Sequence, residues 1–236
     1  LSSFGHRAVN NDDDVHYRNF KGLGRMTIKA EILAHSMSWT TGKTLKSFFL
    51  RYPRFIQAEE LTHRVLSTSA AAVEYDILPD GLMYDRSLSR NASSSRAVPV
   101  NRLIEDVRRD PVIPTFWGAH QPGMQARHEL QGTAKTAMYD IWMKSLESAI
   151  QNAEAMRAVG GHKQLINRIL EPFAHINVVM SATELDNFFA LRIHEDAQPE
   201  ICELATQIRD VMQASNPTIL KEGEPHLLFI TPGERQ

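Results

Sequence analysis

Two groups of residues in this chain have the types and spacing for chemistry. The first is Thr62-His63-Arg64, followed after a gap by Ser89-Arg90-Asn91-Ala92-Ser93-Ser94-Ser95-Arg96. Three arginines among hydroxyls and small residues suit an anion. A guanidinium offers phosphate a two-pronged donor fork, and small side chains let backbone N–H groups approach closely. The same composition also describes a solvated serine-rich loop with scattered charges, and no phosphate-loop motif decides between the two. The second group runs from Asp186 to Glu200. Asn187 and Leu191 fall one helical turn apart on one face, and Arg192 sits near the predicted helix end, where the dipole favours a cation. Asp196 is placed to cap the next helix, with Pro199 in its first turn. Much of this segment therefore has a plain structural explanation, which leaves Asn187 and Arg192 as either ligand-binding or surface groups.

Other chemistries lack their residues. The sequence has no GxSxG, P-loop, GxGxxG or HExxH pattern, and its ten histidines are dispersed without metal-ligand spacing, so no metal is assigned. A single cysteine, Cys202, permits neither an internal disulfide nor a cysteine-based zinc site. A reducing compartment follows, read as a cytoplasm. Cys202 lies in a helical pattern, where a buried inert thiol is expected. The net charge of −2 gives no general pull toward nucleic acid or membrane. The longest apolar runs fall short of the roughly 20 residues that a membrane helix needs. A small anionic ligand needs only a local cluster of arginines.

These residues must be positioned by elements that the pattern outlines. Residues 1 to 25 are polar and glycine-bearing and read as a flexible extension, with Met26 as a natural start and residues 26–236 as one domain. Rough alternation predicts strands over Met26–Ser36 and Thr44–Leu50, with a turn at Thr41-Gly42 and a break at Tyr52-Pro53. A helix is predicted from Pro53 through Ser67, and Thr68 to Leu88 reads as an excursion holding a helical stub and the turn Leu78-Pro79-Asp80-Gly81. Pro99 opens a helix carrying Leu103, Ile104 and Val107, and the proline-rich stretch 110–125 reads as an ordered loop. A long helix is predicted from Ala126 to Ala158, ended by Gly160-Gly161, and another from His162 to Leu170. Ile176–Ser181 reads as a strand, Thr183–Ile193 and Pro199–Ala214 as helices. After Pro217 the chain reads as irregular apart from a small strand at His226–Ile230. Early strands and late helices give an α+β class.

Taken together, the two groups resemble the signatures of the flavin-dependent thymidylate synthases, also called thymidylate synthase complementing proteins. The first resembles that family's Arg-His-Arg motif with spaced serines and a final arginine. The second, NFFALR followed by DAQPEI, resembles its C-terminal signature. RYPRFIQAE, ASSSRAVPV, WGAHQPGMQA, HKQLINRILEPF and HLLFITPGER are similar to a short, bacteriophage-type branch. The resemblance spans residues 27 to 234. It implies a twisted, mostly antiparallel sheet flanked by helices, a homotetramer with flavin sites between subunits, and FAD as cofactor, with NADPH and methylenetetrahydrofolate as co-substrates. It implies catalytic roles for Arg192 and Ser94, and binding of a nucleotide such as dUMP by Glu59, Ser94, Ser95, Arg96, Arg168 and Arg192. His63, Arg64, Asn91, Asn187 and Leu191 would meet the flavin. Such chemistry needs no cysteine nucleophile, in keeping with the lone Cys202, and the flavin carries the redox step.

The chain departs from that pattern at defined places. Thr62 stands for the first signature arginine, Ala92 for a common glutamate, and Glu59 for a frequent glutamine. An insertion of 22 residues, Thr68 to Ser89, separates the two halves of the first motif. These changes keep two further readings open beside dUMP methylation: a related deoxypyrimidine monophosphate-modifying enzyme, such as a hydroxymethylase, and a non-catalytic nucleotide- or flavin-binding homologue.

Overall fold

The computed structural model describes residues 28–63, 67–71, 95 and 98–227. Its frame is a sheet of five strands among the described residues: β1 (Lys29–Ser38), β2 (Thr44–Pro53), β3 (Ser67–Ala71), β4 (His175–Ala182) and β5 (Thr218–Leu220). Their order is β3-β4-β2-β1-β5. All neighbours are antiparallel except β5, which joins β1 in parallel. The expected α+β architecture, a mostly antiparallel sheet flanked by helices, is what the chain adopts.

Alternation along the central strands decides which face is buried. Phe48, Leu50 and Tyr52 of β2 lie opposite Met180, Val178 and Ile176 of β4, and all six are buried. Helix α6 (Pro199–Gln213) covers this face with Ile201, Leu204, Ala205 and Ile208, joined by Phe188 from α5 (Asp186–Arg192). On the other face Ser47, Phe49 and Arg51 of β2 pair with Ser181, Val179 and Asn177. A bulge in β1 adds a serine to this second face, where Phe49 and Val179 are also buried. The register jumps from Ile32↔Phe48 to Ala34↔Ser47, leaving Leu33 as the extra residue. One inserted residue reverses the facing of everything after it. Ser36 thereby joins Ser47 on this second face, and His226 bridges the two with Nδ1 at 2.7 Å and Nε2 at 3.1 Å from their hydroxyls.

The helical layer has its own core. In α2 (Val100–Arg109), Val100, Leu103, Ile104 and Val107 are buried at the i, i+3, i+4, i+7 spacing of an amphipathic helix. They pack with Leu146, Ile150 and Ala153 of α3 (Gly132–Ala158) and with Ile166, Leu170 and Phe173. The last three come from the short α4 (Lys163–Ile166) and the 3-10 stretch Asn167–Phe173. Helix α3 spans about 40 Å at 1.5 Å per residue. It ends in a Schellman pattern: Gly160, at φ 83°, donates to Arg157 O, and Gly161 donates to Met156 O. No helix among the described residues is long and apolar enough to cross a membrane.

Several elements differ from the sequence expectation. The helix predicted from Pro53 to Ser67 is a 3-10 turn, Arg54–Ile56, and one turn of α-helix, α1 (Gln57–Glu60). By Ser67 the chain is extended, because β3 pairs with β4 at the sheet edge. Residues 68–71, read as the start of an excursion, therefore belong to the sheet, and pairing overrides local propensity. Strand β2 runs on to Pro53, where the sheet no longer needs a donor. Helix α3 starts at Gly132 rather than Ala126, since Ala126 backs against Gly118 in a hairpin-like loop whose Gly118 and Glu129 form a bridge. Asp196 does not cap α6; Gln198 holds that position, and Asp196 pairs with Arg127 at 3.1 Å. Cys202 is half-buried rather than buried. Strand β5 falls in the stretch read as irregular. The 1–25 extension, most of the insertion and the end of the His226–Ile230 stretch lie outside the described residues.

Packing of α6 on the sheet should dominate stability. Replacing the fully buried Ile208 by alanine is expected to cost about 2–5 kcal/mol. Truncating Leu165, 64% exposed, should stay within about 0.5 kcal/mol. Urea unfolding midpoints of the two variants check the contrast.

Candidate functional site

The segment that leaves β2 at Pro53 and runs to His63 carries a charged group at each end. At its far end Arg192 reaches in from the last turn of α5. Its Nε donates to His63 Nε2 at 2.9 Å, and its Nη2 donates to Thr62 Oγ1 at 3.1 Å and to the Glu59 carbonyl at 3.3 Å. Nη1 lies 3.5 Å from Glu59 Oε2. Thr62 in turn donates to the Glu59 carbonyl at 2.7 Å. A guanidinium held along its whole edge has one orientation, yet the Arg192 side chain keeps 20% of its surface exposed. The His63 ring stands edge-on to the buried Phe188 at 4.9 Å. Accepting from Arg192 requires Nε2 to be unprotonated, so the ring is neutral with its hydrogen on Nδ1. Burial, and next the Arg192 charge, lower the His63 pKa from its ordinary value.

Behind this edge sits a carboxyl that the sequence did not single out. Glu60 is 1% exposed and accepts from the Tyr52 hydroxyl at 3.2 Å, while its other oxygen has no partner among the described residues. Burial pushes its pKa up to about 7, against the lowering effect of the Tyr52 bond. One signal was legible: Glu60 lies four residues after the buried Ile56, on the same helical side.

The near end of the segment meets the 3-10 stretch before β4. One oxygen of Glu171, Oε1, is met from three directions, by hydrogen bonds from Arg168 and Ser95 and by an ion pair with Arg54. Arg168 Nη1 is at 2.8 Å, Arg54 Nε at 3.5 Å, and the Ser95 hydroxyl also donates to it. Asn167, fully buried, donates to the Ser95 carbonyl at 2.5 Å and the Val98 carbonyl at 2.9 Å. Arg54 is mostly buried; burial lowers its pKa most, Glu171 raises it, and Arg168 lowers it further. Two guanidiniums facing one carboxylate leave local positive charge. Arg54, Asn167 and Glu171 lie in two stretches that resemble the family, RYPRFIQAE and HKQLINRILEPF, yet were given no role there, since their partners lie far along the chain.

Of the residues singled out in sequence, the fold brings Glu59, His63 and Arg192 together, with Thr62 beside them, and gathers Ser95 and Arg168 at the second group. Asn187 and Leu191 lie exposed on α5. Arg64, Asn91, Ser94 and Arg96 lie outside the described residues. Arg54 and Glu59 are five residues apart in one compact segment, about 8–10 Å at helical and 3-10 rises.

The profile of the family described as Thymidylate synthase complementing protein matches residues 31–218. The chain belongs to this family. No curated protein matches it by sequence. Among solved structures, the family fold recurs in a UMP/dUMP methylase, PolB, from Streptomyces cacaoi. With 5-Br UMP bound, that structure matches at TM-score 0.54 and 15% identity, over 80% of this chain and 90% of the other. Bound with 5-Br dUMP, the same enzyme gives 0.53 and 13%, over 79% and 90%. Thr62, which the resemblance sets in place of the first signature arginine, is bonded to Arg192.

Two titrations follow. Because the folded Glu60 pKa of about 7 lies above its ordinary 4.5, the native state holds a proton that the unfolded chain has released. Glu60 thus favours folding at low pH, and its contribution fades as pH rises from 4.5 through 7. His175, lowered to about 3 chiefly by burial, acts oppositely, so the whole-protein curve mixes both. The stability of Glu60→Gln relative to the unmodified chain should therefore climb between pH 4.5 and 7 and then level off. A flat difference in urea unfolding would show that Glu60 titrates normally. By NMR, the His63 ring should titrate below 6.5. Arg192→Ala should raise that midpoint, while burial, the larger cause, keeps it below the ordinary value.

Proposed function

We propose that this chain is an FAD-dependent thymidylate synthase that transfers a one-carbon unit from methylenetetrahydrofolate to C5 of dUMP. The observation that supports the reading most is the Pro53–His63 segment, with a fixed, partly exposed arginine at one end and an arginine-rich group at the other. Their spacing suits the base and the phosphate of one nucleotide. Arg192 would face the pyrimidine and offset negative charge as C5 becomes nucleophilic. Arg168, with Ser94 and Arg96, would receive the phosphate, for which arginine forks and hydroxyls are the matching donors, while Ser95, buried with its hydroxyl on Glu171, would act from behind rather than touch the nucleotide as expected. Ser94 also carries over as catalytic, and Glu59 as a residue that meets the nucleotide.

Flavin suits the surface beside Arg192. Leu61 and Leu191, chain neighbours of Thr62 and Arg192, leave 57% and 55% of their surface exposed, apolar area that an isoalloxazine ring would cover. His63, Arg64, Asn91, Asn187 and Leu191 would hold the flavin, with FAD supplying hydride transfer when bound. In the overall balance, the methylene carbon bonds to C5, the C5 proton leaves, and a hydride equivalent from NADPH reduces methylene to methyl as tetrahydrofolate departs. A homotetramer with sites between subunits, working in a cytoplasm, completes the reading.

A second reading rests on Thr62, whose hydroxyl accepts from Arg192 where the family carries an arginine. It is a hydroxymethyl transfer, in which water adds to the methylene group and NADPH is not consumed. The PolB structures, with UMP and dUMP analogues bound, make the ribonucleotide a second substrate to try.

The purified chain is expected to show a flavin absorbance band in the visible blue. With dUMP, methylenetetrahydrofolate and NADPH, it should give a product heavier by a methyl group and oxidise one NADPH per product. Arg192→Lys should lower kcat/KM by about 10²-fold or more. A hydroxymethyl product without NADPH oxidation would select the second reading. Tight dUMP binding without turnover would mark a non-catalytic homologue. Absence of flavin, with no rescue by added FAD, sinks both enzymatic readings.

A further inference from the structure

Glu171 is the anion on which two hydrogen-bond donors, Arg168 and Ser95, and an ion-pair partner, Arg54, converge from separate parts of the chain. Arg54 follows β2, Arg168 precedes Glu171 by one turn, and Ser95 lies just ahead of α2. All three meet the same oxygen, Oε1. The carboxylate is 23% exposed and Arg54 18%, so the contact is largely shielded from solvent, whereas Arg168 at 50% still presents part of its guanidinium outward. Charge-assisted bonds of this kind are about twice as strong as neutral ones. The Ser95 position is doubly fixed, since Asn167 holds its carbonyl from the same 3-10 stretch. Ser95 thus offers both its hydroxyl and its carbonyl to the protein interior.

We infer that Glu171 is a positioning residue of the nucleotide site: its carboxylate sets the turn at Ser95 and the guanidiniums of Arg54 and Arg168 in one arrangement before the nucleotide arrives. The inference rests on the nucleotide reading above and adds the group that preorganises its phosphate end. Two arginines lose their side-chain freedom on folding rather than on binding, which leaves less ordering to oppose the ligand. The competing effect is electrostatic: an anion beside two arginines weakens their pull on phosphate. Ordering outweighs it here, because the carboxylate faces mostly inward and fixes three side chains, among them Ser95, whose carbonyl Asn167 holds as well.

Glu171→Ala and Glu171→Gln in the full chain separate these effects. Alanine removes both charge and acceptor, whereas glutamine keeps an oxygen that the Ser95 hydroxyl and one arginine can use. Calorimetry with dUMP and with deoxyuridine, and steady-state kinetics with dUMP, provide the readouts. Glu171→Ala is expected to weaken dUMP binding and raise KM at least tenfold, with kcat within threefold and deoxyuridine affinity unchanged. Glu171→Gln should recover most of the loss. Both variants binding dUMP as tightly as the unmodified chain overturn the inference, and tighter binding identifies Glu171 as a competing anion instead. Equal loss for dUMP and deoxyuridine points to general disruption and also overturns it. Should Glu171→Ala fail to fold, Ser95→Ala, which deletes one donor and keeps the charge, must weaken dUMP binding for the inference to stand. An unmodified chain that binds neither dUMP nor UMP removes the nucleotide reading itself, and this inference with it.

Discussion

The antiparallel pairing of β2 with β4 is the constraint on which the candidate site depends. It runs from Lys46↔Ala182 to Pro53↔His175, and its two ends dictate what can meet. At the Pro53 end, the exit of β2 lies beside the entry of β4. The Arg54 backbone donates to the Ala174 carbonyl there at 2.9 Å, which brings Arg54 against the Glu171 stretch that leads into β4. At the other end β4 passes into α5, which packs Phe188 into the core under α6 and returns Arg192 to the segment that β2 emitted. A one-residue slip would turn Phe48, Leu50 and Tyr52 away from the core, so hydrophobic burial and site geometry are fixed by the same register.

Placement of polar groups follows from that register. Tyr52, the last buried aromatic of β2, directs its hydroxyl to Glu60 in the single helical turn beyond. The turn is short because the chain must be extended again at β3. Thr62 and His63 consequently lie just past a helix end, where their side chains are available to Arg192 rather than wrapped into a helix. His63 is kept neutral by burial and by its cationic neighbour, while Glu60, buried with one oxygen unpartnered, is pushed toward neutrality at ordinary pH. The site therefore gathers its charge on Arg192, Glu59 and the Arg54–Arg168–Glu171 group, with weakly charged groups behind.

Thr62, which the resemblance sets where the family has its first arginine, changes the charge around Arg192. An arginine there would bring a second guanidinium beside Arg192. The threonine instead bridges Arg192 to the Glu59 carbonyl with one hydroxyl, so the remaining arginine is held by neutral acceptors and one carboxylate. The local charge differs from the family pattern, while the orientation of Arg192 is secured from several sides.

Composition and pattern carried much of this. The absence of nucleophile and metal motifs, the order of strands and helices, the amphipathic face of α2 and the glycine stop after α3 were legible, because each depends on neighbours within a turn or two of chain. So was the choice of Glu59, His63 and Arg192, which lie in stretches that resemble the family's and which the fold brings together. Tertiary structure alone decided that the predicted helix after Pro53 is a 3-10 turn and one α-helical turn, that Ser67–Ala71 is a sheet edge, and that Arg54, Asn167 and Glu171 meet around Ser95. Those outcomes rest on partners many residues away, joined only when β2 and β4 align. Local propensity is blind to such contacts, and a charged residue looks the same in sequence whether solvent or a distant carboxylate receives it.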